Sequence, residues 1–194
     1  MRLTTWRTNS TRLSLMHLVK ASLLFWVILL DSSMVIAQRP QYRIHATLDT
    51  AVHIVSGKID ITYTNRASVA LDKLGIHLWP NAYSTKESAL AKQMVNQKNF
   101  DLHKARAADM GGLAGLRFTT AEQPIQLKTD PEFIDIAWLI LDSPLQPGDS
   151  IQVSAQFQLT IRKSFSRMGE AVNCFELTQW YPQIGVFDEE CWHM

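Results

Sequence analysis

Apolar and polar residues alternate with a period of two over long stretches of this chain, the pattern of strands with one covered face. Residues 42–49 place Ile44, Ala46 and Leu48 on one side, predicting a half-buried strand. Gly57 reads as a break, after which residues 58–64 alternate again through Ile59, Ile61 and Tyr63. Their β-branched content favours strand over helix. Asn65-Arg-Ala-Ser68 reads as a turn, and residues 74–79 as a third strand closed by Pro80-Asn81. Further strands are expected over 116–120, 124–128, 134–141 and 151–161, the last two separated by the turn dipeptide Pro147-Gly148. A polar loop, 162–169, then leads to a strand expected over 174–181.

One stretch changes period. Ser84-Thr-Lys-Glu87 has the spacing of a capping box, in which the Ser side chain bonds the third helical N–H and the Glu reaches back. Leu90 and Met94 follow at helical spacing, so a short helical insertion is expected near residues 85–108, ended by Gly111-Gly-Leu-Ala-Gly115. The pattern as a whole predicts a mostly β protein, an antiparallel, saddle-like β-sandwich with that one insertion.

The amino terminus changes the picture of where the domain begins. Arg2, Arg7, Arg12 and Lys20 precede an apolar run over 21–30, and Val35-Ile36-Ala37 supplies small residues at the positions a signal peptidase reads. This layout predicts a signal peptide over 1–37, cut between Ala37 and Gln38, with translation starting at Met1 or Met16. The run is shorter than the roughly twenty apolar residues needed to span a bilayer, so no stable membrane anchor is expected. The product would be exported, periplasmic or secreted, with a mature domain over 38–194. The whole chain of 194 residues carries a net charge of +1. Residues 38–194 hold fifteen basic and seventeen acidic side chains, a net of −2 with no basic stripe, so nucleic acid is excluded as a partner. Export permits a disulfide between Cys174 and Cys191, though two cysteines make no framework.

Catalytic patterns are missing. Zinc peptidases of the H-E-x-x-H type need two histidines one helical turn apart with Glu beside the first. His17, His45, His53, His77, His103 and His193 satisfy neither condition. A site assembled from His45, His53 and His77 across strands is conceivable, but isolated strand histidines are usually structural. There is no G-x-S-x-G elbow, and Gly111-Gly112 with Gly115 lacks the Lys and the strand–helix context of a phosphate loop. Asp188, Glu189 and Glu190 read as a solvated acidic run, since neighbouring strand positions face opposite ways. Cys191 could be a nucleophile with His193 as base, but nothing in the sequence activates it. No catalytic residue, metal ligand or cofactor is therefore assigned to this chain. The aromatic segment Thr178-Gln-Trp-Tyr-Pro-Gln-Ile-Gly-Val-Phe187 is either core packing or a binding wall on which Gln179 orients a ligand.

Leu74-Gly-Ile-His-Leu-Trp-Pro-Asn-Ala-Tyr83 and Leu177-Thr-Gln-Trp-Tyr-Pro-Gln-Ile-Gly-Val-Phe-Asp188, with Trp192-His193, resemble the amino-terminal domain of bacterial aminopeptidase N-type zinc peptidases, the gluzincins. Pro144-Leu-Gln-Pro-Gly-Asp149 and Ser164-Phe-Ser-Arg-Met-Gly169 extend the resemblance, which runs from about Tyr42 onward. It implies a β-domain that leans on a thermolysin-like catalytic domain further along the chain. Zinc and the general base belong to that domain, and peptide cleavage from the free amino end to the full-length protein. The resemblance makes Gln179, with Tyr181 beside it, the substrate-binding candidates, lining the pocket near the peptide's amine. Many family members carry Glu two residues after the Gln, where this chain has Tyr181, and bacterial members carry Gly before the Trp, where Cys191 stands. It also implies that the family's domain continues past Met194, so residues 38–194 are expected to be an incomplete domain, inactive alone. The alternatives are a stand-alone secreted β-sandwich binding module and a carbohydrate-binding domain using Trp180 and Tyr181.

Overall fold

A computed structural model describes residues 39–194, apart from 122, 173 and 189. The expected leader and its cleavage point at Ala37–Gln38 lie outside the described residues. The first three strands are β1 (Gln41–Asp49), β2 (Ile54–Thr64) and β3 (Leu71–His77). A 3-10 turn at Trp79–Tyr83, helices α1 (Ala89–Asn96) and α2 (Asp101–Lys104), and a second 3-10 turn at Ala107–Asp109 form the insertion. Then follow β4 (Gly112–Thr120), β5 (Gln123–Pro124), β6 (Gln126–Thr129), β7 (Ile136–Leu145) and β8 (Ser150–Thr160). The chain closes with β9 (Met168–Ala171), β10 (Cys174–Leu177), β11 (Gln183–Ile184), β12 (Val186–Phe187) and β13 (Trp192–His193). The fold is mostly β, and every pairing between these strands is antiparallel.

Strands β1-β2-β8-β4-β5 make a five-stranded sheet and β11-β3-β7-β6 a four-stranded one; β9–β10 and β12–β13 are separate hairpins. The centre of the larger sheet is the β2–β8 ladder, paired over eleven positions from Ile54↔Thr160 to Thr64↔Ser150. Because side chains alternate, this register puts Ile59, Ile61 and Tyr63 on the same face as Val153, Ala155 and Phe157. That face packs against Leu74 and Ile76 of β3, Ala137 and Leu139 of β7 and Ile184 of β11, all buried in one core between the sheets. The opposite face carries Lys58, Asp60, Gln152 and Ser154, with Ser154 Oγ donating to Asp60 Oδ1 at 2.6 Å.

Four sequence expectations change in the structure. Gly57 is not a break: it lies inside β2, opposite Ala46 and Phe157. A Cβ there would come within 2.4 Å of Phe157 Cζ, so the glycine makes room for a ring rather than a turn. The reversal falls at residues 50–53, where Asp49 Oδ1 accepts from Ala51 N and Val52 N and His53 adopts φ 59°. The helix cap is Ser88 rather than Ser84. Ser88 is buried, its Oγ accepting from Ala91 N at 3.1 Å and donating to Ala82 O at 2.6 Å. The stretch Gly111 to Gly115 does not simply end the insertion, because β4 already begins at Gly112 and Gly115, at φ 63°, sits in the register shift between Ala114 and Arg117. On β1, only Tyr42 and Ile44 pack against the core, while Ala46 and Leu48 are exposed, so one half of that strand is uncovered.

Candidate functional site

The sequence element of most interest, 174–181, does not run as one strand. It is β10 up to Leu177, and then the chain bends at Thr178 and Gln179. Gln179 takes φ 54°, the left-handed region, which costs a non-glycine residue about 1–2 kcal/mol. Backbone strain of this kind persists where the surroundings impose it, and it concentrates at binding sites. Here it turns Thr178 and Gln179, both exposed, into the wall of a cavity of about 470 Å³.

Four other elements complete that cavity. The 3-10 turn contributes Trp79, whose ring stacks on His77 at 4.4 Å between centroids. Helix α1 turns Ala91 and Met94 into a small core with Leu102, which leaves Leu90 and Gln93 on the cavity side. The segment before β7 brings Asp135, half-buried, and the loop before β9 brings Arg167. That loop is held by Gly169 at φ 139°, where a Cβ would sit 2.5 Å from Ser164 backbone atoms, a close approach that only glycine allows. Burial pushes the pKa of His77 down, opposed by the nearby Asp135 carboxylate. The cavity therefore offers a neutral amide, a carboxylate, a guanidinium and an indole face, a set suited to a polar ligand with an apolar portion.

Tyr181 is not part of this cavity. Its ring packs edge-on against Tyr42 at 5.6 Å and against Trp180 at 5.4 Å, while Trp180 meets Phe157 at 6.0 Å. Both rings lie half-buried against the core. Tyr42 beneath them accepts a hydrogen bond from Ile184 N at 3.0 Å, and burial raises its pKa to about 12. Of the two substrate-binding candidates, Gln179 faces the cavity and Tyr181 helps to fasten the segment.

A second cluster forms at the β12–β13 hairpin. Asp188 Oδ1 accepts from Glu190 N and Cys191 N, each at 2.8 Å, and Asp188 N donates to Cys191 O at 3.1 Å. The other carboxylate oxygen, Oδ2, is hydrogen-bonded to His193 Nε2. The Cys191 amide first, then His193 and the Glu190 amide, hold the Asp188 carboxyl well below the usual range. One ligating atom from each of Asp188, Cys191 and His193 lies within 4.8 Å of the others, all three residues exposed. Among the described residues this is the one such grouping of His, Cys, Asp or Glu side chains. The conceivable histidine trio is not assembled. His45 lies on β1, His53 bonds Glu170 at 2.8 Å and meets Phe175, and His77 stacks on Trp79. Cys174 and Cys191 are both free and exposed, one on the β9–β10 hairpin and the other in the β12–β13 connection.

The chain matches no protein-family model and no curated protein sequence. The sequence reading did not name Asp135 or Arg167 as site residues, and it paired Cys191 with His193 without joining Asp188 to them. For the first two no local signal exists, since they reach the cavity from distant loops. For Asp188 there was one: an Asp followed within three residues by the backbone amides it can bind is the signature of a side-chain-stabilised turn, which folds the acidic run back on itself.

Proposed function

We propose that this chain is the substrate-pocket-wall domain of an exported zinc aminopeptidase, the zinc and general base belonging to a catalytic domain that it leans on. The observation that carries the reading is the bend at Thr178-Gln179, which holds Gln179 at φ 54° on the wall of the 470 Å³ cavity. The resemblance of 74–83 and 177–188 to the family's amino-terminal domain supports the same role. Gln179 can accept from a peptide's ammonium through its carbonyl oxygen, and the Asp135 carboxylate adds a negative charge to the same wall. Holding that amine in place would orient the first peptide bond, so the contribution is positioning, while the zinc of the catalytic domain would supply the activation of water. No helix among the described residues is long and apolar enough to cross a membrane.

The test begins with the coding sequence continuous with Met194, which should encode a helix bearing H-E-x-x-H and a later helix with a Glu ligand. The extended protein should cleave peptides with a free amino terminus and spare their acetylated forms. Gln179→Ala should lower kcat/KM about tenfold or more, through substrate positioning. Equal cleavage of free and acetylated peptides, or a continuation without the zinc motif, overturns the reading. Peptide binding by residues 38–194 alone, as tight as by the extended protein, would favour the stand-alone binding module.

A further inference from the structure

We propose that Asp188, Cys191 and His193 form a surface site for a divalent transition-metal ion of the zinc type, with one coordination position open to solvent. The inference is independent of the pocket-wall reading, because the hairpin shares no residue with that cavity.

The hairpin's own architecture brings the donors together. Pairing of Val186 with His193 and Phe187 with Trp192 fixes the pleat of β13. Alternation then sends Trp192 inward, where it meets Tyr63 at 6.0 Å, Trp138 at 6.4 Å and Phe187 at 5.3 Å. Residues on either side of Trp192 point the other way, so Cys191 and His193 share the outer face. Asp188 opens the connection, and the two backbone amides on its Oδ1 orient the carboxylate so that Oδ2 meets His193. An aromatic anchor and a hydrogen-bonded turn thus bring three donors together on the exposed face of the hairpin.

The donor set selects the ion. A thiolate, an imidazole and a carboxylate are the sulfur, nitrogen and oxygen ligands that borderline-soft Zn²⁺ accepts, whereas Mg²⁺ and Ca²⁺ want oxygen alone. On binding, Cys191 forms a metal–sulfur bond and its thiol proton passes to solvent; the Asp188–His193 hydrogen bond breaks, and the neutral His193 keeps one proton on Nδ1 while Nε2 takes the cation. The thiolate and carboxylate together carry two negative charges, which the ion balances. In a tetrahedral zinc site, ligand atoms stand roughly 3.3–3.7 Å apart, as follows from bonds of 2.0–2.3 Å. The widest separation among the three donors, within 4.8 Å, must close by about an ångström, and the hydrogen-bonded Asp188–His193 pair must open, both through rotations of exposed side chains. The site borders a cleft of about 460 Å³ lined by Cys191, Trp192, Phe187, Trp138 and Lys73, so the open position has room for water or a small anionic ligand.

Cobalt(II), a spectroscopic stand-in for zinc, tests this on the full, thiol-reduced chain. One equivalent should produce a near-ultraviolet thiolate-to-cobalt charge-transfer band, and added Zn²⁺ should remove it. Cys174→Ser should keep the band and Cys191→Ser abolish it, with thermal melts confirming that both fold. His193→Gln and Asp188→Asn should each weaken cobalt binding by at least about tenfold, and they decide the matter should Cys191→Ser fail to fold. Absence of the band, its survival in Cys191→Ser, or its loss in Cys174→Ser would overturn the site.

Discussion

The β2–β8 ladder and the segment from Thr178 to Met194 are built in opposite ways. The ladder pairs eleven residues on each side, and its inward positions are almost all buried aliphatic or aromatic side chains. The terminal segment has strands of two residues each, and it keeps its place by inserting rings, Trp180 over Phe157 and Trp192 over Tyr63 and Trp138. Regular pairing spreads stability over many equivalent contacts and leaves little chemistry exposed. Sparse anchoring concentrates stability in a few rings and frees the residues between them. Gln179, Asp188, Cys191 and His193 are all exposed for that reason. Candidate chemistry lies where the ladder's periodicity ends.

The largest effect is expected from injury to the ladder at Gly57, which faces the Phe157 ring. Gly57→Ala would drive a methyl group into the Phe157 ring, and overpacking of this kind should cost about 2–3 kcal/mol in a chemical-denaturation midpoint experiment. Phe157→Leu combined with it should recover part of that loss, because the two changes share one space. Additive destabilisation in the double variant would mean that the glycine serves some other need.

A smaller and more local effect is expected at the other region. Trp192→Ala should cost about 1–2 kcal/mol, less than a fully buried ring, because the indole is only half covered. Hydrogen exchange should rise at the hairpin amides, Cys191 N among them, while the β2–β8 amides stay protected. Uniform loss of protection would show that the hairpin and ladder open as one unit.

The smallest effect has the opposite sign. Gln179→Gly removes the left-handed strain, and it should raise stability by up to about 1 kcal/mol while deleting the cavity's amide. A destabilised Gln179→Gly variant would mean that the side chain, rather than the bend, holds the segment.

Period-two alternation set the mostly β class and the faces of β2 and β8, and the change to helical spacing at Leu90 and Met94 set the place of the helical insertion. A buried face must be apolar at every second residue, and Ile59, Ile61, Tyr63, Val153, Ala155 and Phe157 state this locally. Sequence could not distinguish Gly57 as space for a ring from Gly57 as a turn, since the ring lies a hundred residues away. Nor could it choose Ser88 over Ser84 as the cap: the choice depends on whether the preceding 3-10 turn places Ala82 O within reach of the hydroxyl. The bend at Gln179 and the arrival of Asp135 and Arg167 at one cavity were equally invisible, because long-range packing decides both. The residue types of the Asp188–Cys191–His193 grouping stood in plain order along the chain. Their convergence was decided by the inward pull on Trp192, which only the assembled core of Tyr63 and Trp138 exerts.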